Sequence, residues 1–117
     1  MNTIPERAPL PVHRLDELID RTAQAAASAA AGRASTPVAR TAGMRILLVS
    51  LGAGGELAEH TAPGPISVQA LRGDLRFSTG GHATELAPGD LITLDAQIPH
   101  AVQSRAGGSF LLTICAA

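Results

Sequence analysis

The sequence predicts an all-β fold, an antiparallel sandwich or barrel, with a short helix ahead of it. Three observations predict this. From residue 45 onward, short apolar runs recur at nearly regular spacing. Turn-forming groups separate them: Gly54-Gly55, Pro63-Gly64-Pro65, Arg72-Gly73-Asp74, Gly80-Gly81, Pro88-Gly89-Asp90 and Gly107-Gly108. Before residue 37 the apolar period is helical instead.

Residues 1–11 carry Pro5, Pro9 and Pro11 and are expected to be extended or mobile. Residues 12–31 are expected to form the helix, within an N-terminal extension over 1–35. Leu15, Leu18, Ile19, Ala23 and Ala26 fall near one face. Asp16 and Glu17 in the first turns suit the positive end of the helix dipole, Glu17 and Arg21 stand one turn apart, and Gly32 is a suitable stop. Such an arm packs on the barrel or on a second subunit.

The barrel is expected over 36–117. Arg45–Leu51 is a β-rich run ending at Gly52. Ile66, Val68 and Ala70 alternate with Ser67 and Gln69, and Leu75 and Phe77 alternate with Asp74, Arg76 and Ser78. Leu91–Leu94 forms a further short strand, and Phe110–Ala116 closes the chain as an apolar strand. Left as a sheet edge, that last strand would need cover, so a two-fold homodimer is expected.

Composition narrows the function. With 45% hydrophobic residues and a formal net charge of −1, the chain is expected to fold as one globular domain. There is no Trp or Tyr, so Phe77 and Phe110 are the whole aromatic set and the core must be aliphatic. Single-stranded nucleic acids are held by ring stacking over a basic groove, and this chain offers neither, so no nucleic-acid partner is expected. Sugar stacking is disfavoured for the same reason. All nine basic residues are Arg, which excludes Schiff-base and phosphate-loop lysine chemistry. A single cysteine, Cys115, cannot form an internal disulfide, which suits a reducing compartment. The N-terminal segment lacks a signal-peptide pattern and no apolar stretch is long enough to cross a membrane, so a cytoplasmic location is expected.

The stretch from Gly54 to Ser104 resembles the cupin family. The family's first motif, G-x5-H-x-H-x3,4-E-x6-G, finds Gly54, His60 and Gly73 in register. The second, G-x5-P-x-G-x2-H-x3-N, finds Gly89 and His100, and 15 residues separate the two motifs. The resemblance implies a double-stranded β-helix, the cupin jelly-roll barrel, and a metal held in its interior. The chain departs from the motifs at several positions. Ala62 replaces the second metal-binding His, Ile66 the Glu, Asp95 the Pro, Gln97 the Gly and Ser104 the closing Asn. Two of four ligands are left, His60 and His100. Catalytic zinc usually takes three protein ligands plus water, and a non-haem iron site takes two His and a carboxylate. A Zn, Fe, Mn or Ni ion at this pair would lean on water or an exogenous ligand, which weighs against an enzyme.

The interior is expected to be lined by His60, Ala62, Ile66, Val68, His100 and Val102, with Leu48 and Phe110 or Leu112 behind them. Such a mainly apolar pocket, with two imidazoles near its mouth, suits a small, partly apolar ligand. A metal-dependent enzyme of the dioxygenase or isomerase kind and a solid, partner-binding dimer are the alternatives. Other candidates read as structure. His82 follows Gly80-Gly81 at a hairpin tip, and Glu59 points away from His60 on a strand. Glu56 lies on a loop, and Gln69 is out of phase with Ile66. Cys115 among apolar neighbours reads as a small hydrophobe rather than a nucleophile. Asp90 belongs to its Pro-Gly turn, Asp95 to solvent, and Gly54-Gly55 to a turn rather than a phosphate cradle.

Overall fold

The computed structural model describes residues 10–116. Most of the extended leader expected over 1–11 therefore lies outside the described residues.

Helix α1 spans Leu15–Ser28, three residues shorter at each end than the expected 12–31. Arg14 is still extended, with ψ 110°, and Ala29 leaves the helix with ψ 138°. Ile19, Thr22 and Ala26 are its buried residues, spaced three and four apart along one stripe. Among the described residues no helix is long and apolar enough to cross a membrane.

Among the described residues nine strands follow: β1 (Arg33–Thr41), β2 (Met44–Leu51), β3 (Glu56–His60), β4 (Ile66–Gly73), β5 (Leu75–Thr79), β6 (His82–Leu86), β7 (Leu91–Leu94), β8 (His100–Gln103) and β9 (Gly108–Cys115). They form two sheets, ordered β1-β2-β9-β4-β7 and β3-β8-β5-β6, with every pairing antiparallel. This is a jelly-roll sandwich with an N-terminal helix. The strand at 33–41 carries the helix-to-strand change a few residues earlier than Pro37. Pro37 sits inside it, which is tolerated because β1 is an edge strand with a bulge between Pro37 and Ala39.

Alternation sorts the side chains. From the first sheet, Val49, Phe110 and Ala70 share one cross-strand row and Leu112 and Val68 the next, all on the sandwich face. From the second sheet, Val102 and Phe77 lie opposite each other, and Leu75 pairs with Leu86. These residues make one core, with Phe110 in place of any larger ring.

Leu48 is a correction. It is fully buried, but it does not face the interior. Val49 takes the interior, so Leu48 points to the other side, with its cross-strand partner Thr36. That side is covered by α1. Thr22 Oγ1 donates to the Leu18 carbonyl at 2.7 Å, so its 2.7 Å bond with Thr36 Oγ1 is one it accepts. Leu48 is thus the apolar seat of the helix, and the exposed Asp20–Arg72 ion pair beside it orients more than it stabilises. The buried Ser50 and Ser109 on the same face satisfy each other through a 2.7 Å hydroxyl bond.

The closing strand is a second correction. β9 lies in the middle of its sheet, hydrogen-bonded to β2 and β4. Its apolar run is covered from within the chain and needs no second copy to pair with it.

The two sheets are tied at one end by Asp74, between β4 and β5. Its carboxylate accepts from Ser104 Oγ at 3.1 Å, Arg105 N at 3.2 Å and Ala106 N at 3.1 Å. Ser104, at the closing position of the second motif, also receives the Gly107 N–H at 2.9 Å. Gly73 has a φ of +74°, and a Cβ there would run into the Gly107 carbonyl, so the strand can enter this link only as glycine. The Ala106 and Arg105 N–H groups, aided by the Ser104 hydroxyl and the Arg105 charge, hold the Asp74 carboxyl below its usual 3.8.

Two outcomes follow from this packing. Leu48→Ala lowers the free energy of urea unfolding by about 2–4 kcal/mol, through lost transfer energy and a cavity under α1. Asp74 binds a proton more weakly when folded than when unfolded. Its contribution is complete above about pH 4 and is lost as pH falls through the lowered folded value. Melting curves between pH 5 and 2 are expected to fall less steeply for Asp74→Asn than for the parent, and parallel curves would rule the contribution out.

Candidate functional site

The end of the sandwich opposite Asp74 collects three of the four histidines, His60, His82 and His100. His60 ends β3 and His100 begins β8, and they are direct cross-strand partners. Their ring centroids are 4.3 Å apart in an edge-to-face arrangement. His60 is exposed, whereas His100 retains 4% exposure and stacks on Phe77 at 5.6 Å, within 12° of parallel. Both rings are clamped in the same manner. His60 Nδ1 lies 2.8 Å from the Ala58 carbonyl and His100 Nδ1 2.9 Å from the Ile98 carbonyl. A carbonyl only accepts, so each Nδ1 carries the hydrogen, and Nε2 is the position each ring offers to a ligand.

The row continues beyond the two residues expected from sequence. β5 pairs with β8 at Ser78↔Ala101, which sets Thr79 beside His100, and Thr79 Oγ1 donates to the Pro99 carbonyl at 2.8 Å. Thr79 in turn pairs with His82 across the Gly80-Gly81 turn. The second sheet therefore presents His60, His100, Thr79 and His82 in one line on its inner face. Neighbouring strands are spaced by about 4.8 Å, so His82 stands roughly 10 Å from His100 along this line. The row faces an apolar row of the first sheet, Leu94, Ile66 and Ile114.

A cleft of about 200 Å³ opens between β5–β6 and β7, lined by Phe77, Thr79, His82, Ala83, Thr84, Ile92, Thr93 and Leu94. It is the open side of the barrel interior. Of the residues expected to line a pocket, Ile66, Val68 and Val102 are 4%, 2% and 2% exposed and fill the core instead. Ala62 is half-buried and packs against the same core. The cavity is displaced towards β6 and β7, because branched aliphatic side chains close the space between Ile66 and Val102. His82 is at a hairpin tip and exposed, as expected, yet it faces the cleft. The signal was in the sequence: a two-residue turn sets residue 79 opposite 82, and an inward Phe77 makes Thr79 inward as well.

Two loops hold the histidine end together. In the link from β3 to β4, a Cβ on Gly64 would collide with the Cys115 carbonyl, so only glycine lets this loop lie on the end of β9. Cys115 N donates to Pro65 O at 2.9 Å, and Gln97 N donates to Ala62 O at 2.9 Å, joining the loops before His100 and after His60. Gln97 has a φ of 65°, the left-handed region, and it occupies the glycine position of the second motif. Asp90 is confirmed as a turn residue, its carboxylate accepting the Ala87 N–H at 2.8 Å. Asp95 and Glu59 are exposed, and Glu56, expected on a loop, instead opens β3 opposite Gln103.

This sandwich is the cupin fold. Over 99% of its length the chain superposes on 97% of a cupin superfamily protein from Desulfitobacterium hafniense, with a TM-score of 0.75 at 21% identity. An RmlC-like cupin from Shewanella frigidimarina matches 74% of the chain over 78% of its own, with a TM-score of 0.70 at 16% identity. A salicylate 1,2-dioxygenase from Pseudaminobacter salicylatoxidans matches 85% of the chain with 33% of its own, with a TM-score of 0.74 at 20% identity. Neither a protein-family model nor a curated protein sequence matches the chain.

The donor set does not fit the metal centre that the cupin motifs imply. Among the described residues no three His, Cys, Asp or Glu side chains come together. The second His position is Ala62, and the Glu position, Ile66, is sealed in the core. His82 stands two strands from His100 and does not cluster with the other two rings.

Gln97→Gly is expected to raise stability by about 0.5–1 kcal/mol, as relief of the left-handed backbone outweighs the extra freedom of the unfolded chain. Thermal melting measures it, and a lower melting temperature would contradict the strain at this position.

Proposed function

We propose that this barrel binds a small, partly apolar molecule at its open side and does not transform it. The observation that carries the reading is the row His60–His100–Thr79–His82 standing over an apolar wall, with a cleft beginning at Phe77 and Thr79. Phe77, Ile92 and Leu94 would take the apolar body of the ligand. The Nε2 of a clamped imidazole would accept from a hydroxyl or N–H at its polar end. The cleft is smaller than the roughly 300–1,000 Å³ of drug-sized sites, so the ligand has few heavy atoms.

Phenol is a suitable probe, being a small ring with one donor. In a methyl NMR titration it is expected to shift Ile92 and Leu94. Benzene, which lacks the donor, should bind about fivefold more weakly. His60→Ala and His82→Ala alter exposed side chains and leave the fold intact, and at least one of them should remove the advantage of phenol. Equal binding of phenol and benzene, or shifts confined to other regions, would sink the proposal.

A second reading is a metal-dependent enzyme on His60 and His100 with a non-standard third ligand. The two Nδ1–carbonyl clamps favour it, because ligating imidazoles are commonly oriented this way. Elemental analysis of protein purified without chelator or affinity-column metal separates the two. One equivalent of Zn, Fe, Mn or Ni, lost in His60→Ala, would reverse their order.

A further inference from the structure

The inner face of the first sheet continues past the core, and there it changes character. The row Leu94, Ile66, Ile114 runs on to Arg45 on β2 and Arg40 on β1, each residue the cross-strand partner of the one before. The sandwich-side residues of β1 (Arg33, Ser35, Pro37 and Arg40) are all exposed, while Ala34 and Thr36 on the other side are half-buried towards α1. β1 therefore overhangs the second sheet, and Arg40 and Arg45 stand directly opposite each other, both exposed.

Directly opposed like charges destabilise a pair of strands, with Cβ atoms about 5 Å apart. Among the described residues neither guanidinium has a carboxylate within 4.0 Å, whereas Arg72, Arg76 and Arg105 each have one. A net charge of −1 shows that the pair is not part of a generally basic surface. Beside it lies a cleft of about 460 Å³ whose further lining includes Met44, Pro63 and Ile114. Neither His60 nor His100 lines this cleft.

We propose that Arg40 and Arg45 form a binding site for the carboxylate of an amphiphilic organic acid, whose apolar tail lies on Pro63 and Ile114. Two forks of N–H donors side by side match the two oxygens of a carboxylate, and the bound charge removes the repulsion between the strands. The apolar floor selects an organic anion over a free inorganic one. The site is independent of the proposed phenol cleft, which lies at the other edge of the first sheet, against β7.

Octanoate titrated into the full chain tests this by amide NMR. Saturable shifts are expected at Thr41, Arg45, Ile114 and Cys115. The double variant Arg40→Gln/Arg45→Gln should weaken binding at least about tenfold, as charge-assisted hydrogen bonds are lost. Relief of like-charge repulsion should let that variant melt no lower than the parent. Arg45→Lys keeps the charge without the fork and should bind octanoate more weakly than the parent. Arg76→Gln, whose residue pairs with Glu85 elsewhere, should bind as the parent does. Unchanged affinity in the double variant, octan-1-ol binding as tightly as octanoate, or inorganic phosphate binding as tightly as octanoate would each overturn the assignment.

Discussion

The structure depends on a single constraint: the period-two burial that locks the two sheets face to face. Ile66, Val68 and Ala70 must face Phe77, Leu75 and Val102, because any one-residue slip would turn an aliphatic stripe to water and bring Ser67, Gln69 or Arg76 into a core with no polar partners. Each of these side chains larger than alanine contributes roughly 1.5–3 kcal/mol by burial, so the penalty for slipping a strand is far larger than any surface contact can offset. The positions of His100, Thr79 and His82 follow from that lock. They are inward because Val102 and Phe77, two positions from His100 and Thr79, and Leu86, four positions from His82, are inward.

The same lock explains why the site differs from the one its motifs imply. A cupin metal centre needs a carboxylate where this chain has Ile66, and Ile66 is a core residue in contact with the aliphatic cluster. Once that position is spent on packing, the space between the motifs fills, and the accessible interior moves to the open side at β6 and β7. There the lining is mixed: a stacked Phe77 on His100, hydroxyls from Thr79 and Thr84, an imidazole from His82 and an aliphatic wall. Such a lining sets polar groups against an aliphatic wall.

Sheet width completes the picture. Five strands face four, and α1 covers the outer side of the excess, resting on Leu48. Among the described residues the inner side of the overhang has no such cover, and there the chain places arginines in opposed positions instead of continuing the apolar rows. A jelly roll thus presents two different interior-facing surfaces, one of mixed polarity at β7 and one carrying two arginines at β1. The fold by itself assigns no function to either, because this architecture carries many chemistries.

By itself the sequence determined the class of fold. Alternating apolar runs, Gly/Pro turns and the motif glycines are local signals, and Gly73 and Gly89 mark backbone turns at positive φ that glycine adopts without strain. It also determined that His60 and His100 meet, since motif spacing encodes cross-strand pairing. It did not determine which side of β2 Leu48 takes, that β9 is a central strand, that His82 joins the histidine row, or that Arg40 opposes Arg45. Each of those depends on which strands become neighbours and which sheet overhangs the other. Those are properties of non-local contacts, and a strand's own residues carry the alternation of its two faces but not the identity of what covers them.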